Sequence, residues 1–337
     1  MNVMKIRMIL FMGLSFLICI GNVGVAQDNI KLAQTGCDFL SVISDAKAAG
    51  MAGAVNTLPM GSSSMFFNPA CLTEMNNTAE LTASYNPWIA DIKHTQFSAA
   101  VNLGLWGVVG VSVQNVNYGD FYRTIVYNNE DNFLFLGTFS LQSYSAGLGY
   151  AYKLTNQFSV GGQIKYVHQD LGDGIVPTTI DVRDSTTVTK SFKMNPLAFD
   201  FGTLFKTGLK SLAFGISIRH FSDQLTYQQE SFQMPLLFTL GVSMDIMDFW
   251  TEARENHSLI TSIDLTHDRS YPEQLLVGIN YTFFNTISLR IGYNSHADLE
   301  KFSYGIGLSQ FGLAIDYAYT PMKYFDNLQR ITARLKI

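Results

Sequence analysis

The stretches "QLLVGINYTFF" (274–284) and "ISLRIGYNS" (287–295) decide the fold. In the first, Leu275, Val277, Ile279, Tyr281 and Phe283 fall on one side of an extended chain. Leu276, Gly278, Asn280 and Thr282 fall on the other, because successive side chains of a strand point to opposite faces. In the second, Ile287, Leu289, Ile291 and Tyr293 oppose Ser288, Arg290, Gly292 and Asn294. "LAIDYAY" (313–319) and "RITARLKI" (330–337) repeat the pattern. One face is apolar and ends in aromatics, while the other carries Gly, Asn and charges of both signs. A soluble sandwich alternates in shorter strands. This is the lipid-out, lumen-in pattern of an outer-membrane barrel with aromatic girdles.

Working outward, the same period marks strands at 78–87, 93–103, 106–117, 141–153, 157–169, 193–206, 211–220, 234–246, 256–266, 272–283, 286–295, 301–309, 311–320 and 328–336. The expected fold is all-β: a transmembrane antiparallel barrel of about 14 strands, an even number as single-chain bacterial barrels require. The connections sort by parity. Those after even-numbered strands are short (104–105, 154–156, 207–210, 284–285 and 310), 247–255 excepted. The long ones, 118–140, 170–192 and 221–233, all follow odd-numbered strands. Short inner turns alternating with long outer loops are expected when both barrel ends are periplasmic. A sandwich has no reason to sort its loops this way.

Composition agrees. Charged residues make up 15% of the 337, against about a quarter in soluble proteins, and aromatics reach 13%. Beyond the N-terminus no run is apolar for the 18 or more residues of a spanning helix. At the N-terminus, Lys5 and Arg7 precede "MILFMGLSFLICIGNVGVA", an apolar run ending in small residues. That is the layout of a secretory signal peptide cleaved after Ala26. A lipoprotein signal through Cys19 is rejected because Ile18 stands where a small residue is needed. The domains read as a signal peptide (1–26), a spacer and periplasmic or lumenal hatch (27–77), and the barrel (78–337). The mature chain has 20 basic against 27 acidic residues, with no basic stripe, so nucleic acid is not an expected partner. Cys37 and Cys71 either form a disulfide, as export allows, or remain free thiols.

"GMAGAVNTLPMGSSSMFFNPACL" (50–72) is nearly uncharged and rich in Gly, Ser and Met. It must bury its Met and Phe residues, and the nearest place is the barrel interior. Because it precedes the first strand, it is expected to start on the periplasmic side. Pro69 disfavours helix at Asn68 and sets a turn. The strip reads as a hatch that narrows the lumen, either plugging it for stability or serving a ligand or partner.

"FLSVISDAKAAGMAGA" (39–54) followed by "FFNPACL" (66–72) resembles the start of PorV/PorQ-family outer-membrane proteins, which in turn resemble FadL-like barrels. The matching positions are Ala49, Gly50, Met51, Gly53 and Ala54, then Asn68, Pro69, Ala70 and Leu72. Further similar segments are 116–121, 158–172, 198–207, 233–243, 288–295 and 312–321. Departures are Ala52 where the family has Gly, "LPMGSSS" where it has an acidic stretch, and Ile337 where barrels commonly end in an aromatic. The resemblance implies a component of the type IX secretion system that associates with a large translocon barrel. It also implies binding of secreted cargo through the cargo's C-terminal domain, for delivery to the cell surface. The alternative it implies is a transporter of hydrophobic small molecules.

No catalytic or cofactor motif emerges. Phosphate loops, HExxH, paired-cysteine metal spacing and G-x-S-x-G are absent from the sequence. His257 and Ser258 are adjacent in a strand, so they face opposite sides. No enzyme activity, cofactor or metal is expected. By parity Asp200, Arg219, Asp264, Arg290, Asp316 and Arg334 face the lumen. Their mixed signs suit salt bridges supporting a hatch better than a selective filter. The loop 118–140 carries Phe121, Tyr122, Tyr127, Phe133 and Phe135. The loop 170–192 has an apolar tip at Ile175, Val176 and Pro177. Such residues in water mark either a contact surface or a hairpin packed on its own barrel. They are the expected partner-binding sites, and outer-membrane lipid is the expected surround.

Overall fold

The computed structural model describes residues 35–337 apart from 127–132, 178–186, 228–229, 251–255, 270 and 298–299. The expected signal peptide and most of the spacer lie outside the described residues.

Among the described residues, alternation produces seventeen strands: β1 Ala79–Pro87, β2 Lys93–Asn102, β3 Val108–Val126, β4 Phe133–Lys153, β5 Phe158–Pro177, β6 Thr187–Met194, β7 Leu197–Lys206, β8 Ala213–Phe221, β9 Leu225–Tyr227, β10 Glu230–Phe232, β11 Leu237–Asp245, β12 His257–Asp268, β13 Gln274–Phe283, β14 Ile287–Asn294, β15 Phe302–Gln310, β16 Leu313–Thr320 and β17 Leu328–Lys336. β6 and β7 lie end to end, broken at Asn195–Pro196, where proline cannot donate to the ladder. Both pair with β5, so they form one stave. β9 and β10 pair only with each other in a separate small hairpin. The remaining strands close an antiparallel barrel of fourteen staves. β1 pairs with β17, and the β4–β5 pairing completes the ring.

The register keeps each face intact. Across β13–β14, Ile279 faces Ile291 and Tyr281 faces Leu289 on the lipid side, while Asn280 faces Arg290 on the lumen side. Leu289, Ile291, Ile306 and Leu308 are exposed, as membrane lipid requires.

Three strands are far longer than the bilayer needs. β3, β4 and β5 have 19, 21 and 20 residues, where roughly 9–11 span the membrane. The stretches expected as the loops 118–140 and 170–192 are therefore largely hairpin. Ile175, Val176 and Pro177 are not a loop tip. They lie within β5, opposite Thr189, Val188 and Thr187. Beyond the lipid the outward face need not be apolar, so the strand continues after its membrane signature ends. Register shifts between Asn117 and Asp120 and between Asp170 and Asp173 mark where the hairpins leave the wall. Gly119 and Gly172 sit there at φ 78° and 81°, the positive values that glycine bulges use.

The lumen holds the segment from Thr35 to the start of β1. Thr35 pairs in parallel with Gln233, at the end of the barrel that carries the long hairpins. Ala79, at the opposite end, exchanges backbone hydrogen bonds with Ile337. From Thr35 onward the segment thus runs from the outer mouth down the lumen, so residues 36 onward do not start on the periplasmic side as expected. Its path is set by contacts with distant strands, to which local sequence is blind. It folds as short turns: 3₁₀ at Asp38–Ser41, one α-helical turn at Ala46–Ala49, and 3₁₀ at Gly61–Phe66 and Pro69–Glu74. Asp45 and Asn68 cap two of them, accepting from Ala48 N and Ala70 N at 3.1 Å each, the usual N-cap role of these residue types.

Candidate functional site: the hatch, the outer cup and the external hairpins

Small residues let the hatch backbone press against the wall. Ala46, Ala48, Met51, Ala54 and Ser62 are fully buried. Inward-facing glycines of the barrel supply the matching slots. A Cβ on Gly292 would lie 2.2 Å from Ala52 N, one on Gly278 would lie 2.9 Å from Met51 Cβ, and one on Gly161 would lie 2.5 Å from Ala70 N. Gly50 packs its Cα against Gly305. Gly53 has φ 84°, which a side chain would resist. Asn68 donates to Asn56 O at 2.8 Å and to Thr203 O at 3.0 Å, tying the turn at Pro69 to itself and to β7.

The six lumen charges all line the interior but fall into separate groups. Arg290, Asp316 and Arg334 come together: Arg290 Nη1 is 2.7 Å and Arg334 Nη1 3.1 Å from the Asp316 carboxylate. Arg334 also reaches Asp45 of the hatch at 3.1 Å and Glu80 at 3.4 Å. Glu80 in turn accepts from Ser62 N. Asp264 accepts from Asn56 N at 2.8 Å, and Arg219 donates to Phe66 O. Asp200 pairs instead with Lys165 at 2.7 Å and accepts from His220 N. The hatch is therefore gripped at Asp45, Asn56 and Phe66 by three parts of the wall. Lys165 and Glu80 were missed as lumen charges although strand parity points both inward. Asp45 lies in the hatch, where no strand parity applies.

Cys37 and Cys71 are free and buried. Cys37 donates to Gln169 Oε1 and Cys71 to Asn56 O. Burial, then the neighbouring Asp38 charge, pushes the Cys37 thiol up to about 12. Burial likewise raises that of Cys71. Among the described residues no group of His, Cys, Asp and Glu is arranged to hold a metal.

Above the hatch a cup of about 750 Å³ lies toward the outer mouth. Trp88, His94 and Arg330 line one wall. Arg219, Thr239 and Asp264 line the opposite one, and Val55, Asn56 and Phe67 of the hatch also line it.

The external hairpins carry exposed aromatics. Phe121 stacks on Phe139 with centroids 5.7 Å apart, and Tyr122 meets Phe135 edge-on at 5.8 Å. Phe121, Tyr122 and Phe135 remain open to solvent. Arg123 donates to Asp173 O at 2.9 Å, joining the β3–β4 hairpin to the β5–β6 hairpin. Phe133 lies in β4, and Ile175–Pro177 in β5. Their side chains, and Tyr127, are outside the described residues.

The family model described as "Type IX secretion system membrane protein PorP/SprF" matches residues 62–323, most of the barrel. The chain belongs to this family. The sequence had pointed to the PorV/PorQ proteins of the same secretion system; the match is to PorP/SprF. This PorP/SprF-family chain is an integral outer-membrane barrel of a Gram-negative cell. No curated protein matches its sequence. Among solved structures it is similar to the CymD monoaromatic hydrocarbon channel, with TM-score 0.58, 13% identity, and 87% of this chain covering 97% of that one. It is also similar to the Pseudomonas putida toluene transporter TodX, with TM-score 0.52, 13% identity and coverage of 85% and 95%. A Pseudomonas aeruginosa FadL homologue gives TM-score 0.51, 11% identity and coverage of 87% and 98%. At these identities the likeness is one of fold: a FadL-like barrel.

Proposed function

We propose that this barrel is a docking component of the type IX secretion system, binding a large translocon barrel and the C-terminal domains of secreted cargo at its external face. In this reading residues 1–26 direct export and are removed, and the chain has no catalytic role. The observation that carries it is the hatch. Buried ion pairs and glycine slots hold a segment through the lumen, so specificity is left to the hairpins that rise beyond the lipid. Their exposed Tyr and Phe are residue types enriched in binding hot spots. The family match supports a place in the secretion system, and the PorV/PorQ-like segments at 39–54 and 66–72 support a carrier role within it.

The second reading is a transporter of hydrophobic small molecules, favoured by the fold shared with CymD and TodX. One experiment separates the two. Residues 173–190 are shortened to a tight turn, and the protein is recovered from cells in mild detergent. The docking reading expects the intact protein to bring down the translocon barrel and cargo. The shortened one should fold and insert but lose both, leaving cargo unattached to the surface. Retained secretion together with hatch-dependent toluene uptake would establish the transporter instead.

A further inference from the structure

The lipid-facing wall is not uniform. On its outward side β17, β1, β2 and β3 enclose a shallow dent of about 420 Å³. Ala83 and Ala333 face each other across β1–β17 and leave the space that larger side chains fill elsewhere. Tyr85, Phe97, Val113 and Ile331 surround them and are exposed. Toward the outer mouth the dent ends at Thr95 and Asn115, which also line it.

An aromatic belt marks the headgroup level of a membrane barrel. One outward row of the register runs Tyr317, Ile331, Tyr85, Thr95, Asn115 and Tyr144. Two hydrogen-bonding side chains therefore interrupt the belt between Tyr85 and Tyr144. The next outward row toward the mouth is polar from β2 to β4: Lys93 faces Asn117, and Asn117 faces Gln142. Lys93, Thr95, Asn115 and Gln142 are exposed, and their side chains make no hydrogen bond or ion pair among the described residues. Asn117 accepts from Gly119 N at 2.8 Å, which leaves its amide N–H groups to donate. This polar block crosses three strands, about 10 Å at roughly 4.8 Å per strand. Bilayer lipid covers the wall, because the chain is an outer-membrane barrel. A soluble sugar or anion would leave the dent over Ala83 and Ala333 unfilled, whereas an acyl chain fills it. A headgroup of one phosphate would use Lys93 and leave the donors on β3 and β4 unengaged. A phosphorylated sugar headgroup is wide enough for all of them. Its phosphate suits the lysine, and its hydroxyls and amides suit Thr95, Asn115 and Gln142.

We propose that this face is a binding site for lipid A, the phosphorylated and multiply acylated glucosamine disaccharide of the outer leaflet. One acyl chain lies in the dent over Ala83 and Ala333, a phosphate meets Lys93, and the sugars meet Thr95, Asn115 and Gln142. The site is independent of both the docking and the transporter readings. It fixes one side of the barrel against a particular lipid, on the two hairpins β1–β2 and β3–β4.

The test uses the full-length barrel, stripped of lipid in detergent, with bisphosphorylated hexa-acyl lipid A as the probe. Lipid A with both phosphates removed and phosphatidylethanolamine serve as comparison lipids, and native mass spectrometry reads the bound lipid. Lipid A should bind saturably, at least tenfold more tightly than either comparison lipid. Lys93→Gln should weaken it at least tenfold. The paired change Ala83→Leu with Ala333→Leu, which fills the dent with apolar side chains, should do so independently. Asp91→Asn, which removes the carboxylate in the turn before Lys93, should not weaken it. Arg269→Gln, an exposed cation on the opposite side of the ring, should leave binding unchanged. Folding of each variant is checked by heat-modifiable migration in gels. Where a variant fails this check, the comparison of lipid A with its dephosphorylated form on the intact barrel decides the phosphate contact. Equal binding of phosphatidylethanolamine overturns the proposal and makes the dent an ordinary contact with bulk lipid. Lipid A binding that is indifferent to both Lys93→Gln and the paired leucines also overturns it, since the lipid then sits elsewhere. Absence of saturable binding overturns it too, and a dimer of the barrel lost in the paired leucine variant would make the dent a contact with a second copy.

Discussion

Replacing Gly292 by Ala should loosen the hatch while leaving the barrel wall intact. The new Cβ would lie 2.2 Å from Ala52 N and 2.3 Å from Met51 C. Both are backbone atoms, so no side-chain rotation relieves the clash. Ordinary contact begins at 3.4 Å, so the hatch must retreat by about 1.2 Å, the difference between 3.4 and 2.2 Å. Gly278, opposite Gly292 in the register, already presses on Met51, which closes the easiest direction of retreat. Overpacking of this kind costs about 1–3 kcal/mol. At 1.4 kcal/mol per factor of ten, the population with the hatch undocked should rise roughly 5- to 150-fold. Gly162→Ala is the matched control, because its nearest neighbour, Asp200 O, would stand at an ordinary 3.6 Å. Limited proteolysis of residues 35–75 and conductance in planar bilayers report on the hatch. Heat-modifiable migration reports on the wall. Gly292→Ala should be cut faster and conduct more than Gly162→Ala. Equal protection and equal conductance would refute the reasoning. Collapse of the barrel itself would also refute it, since the strain would then lie in the wall rather than in the hatch.

Arg334→Met should destabilise the folded barrel by about 3–5 kcal/mol, because it strands the buried Asp45 and Glu80 without their cation. Lys193→Met, which removes an exposed partner of Asp170, should change stability by at most about 1 kcal/mol; urea titration followed by gel migration compares the two. Both thiols should resist a disulfide-exchange reagent at pH 8, because the thiolate is the reactive form and burial keeps Cys37 and Cys71 protonated there; these two should react only on unfolding. Cysteine placed at Asp173 should react with an impermeant reagent on whole cells, and cysteine at Asn156 or Leu209 should not. The reverse pattern would invert the barrel in the membrane.

The period of two, read from segments such as 274–284 and 330–337, determined the staves, their number and which side of each faces lipid. It could do so because a closed barrel repeats one local rule around its circumference, lipid outside and lumen inside. Lumen charges such as Arg290, Asp316 and Arg334 followed from the same parity, and inward glycines such as Gly278 and Gly292 were already visible on the polar face. The need to bury an uncharged Met- and Phe-bearing strip likewise placed the hatch near the lumen. Tertiary structure decided the rest, where the rule stops applying. Above the membrane no lipid enforces an apolar face, and the bulges at Gly119 and Gly172 shift the parity, so the long hairpins read as loops. The hatch has no period, and its descent from the outer mouth is set by partners such as Arg334, 289 positions from Asp45. The facing walls of the cup join residues as far apart in the chain as His94 and Asp264, 170 positions. Only closure of the ring brings them to face one another, because strand order around a barrel is a property of the whole chain.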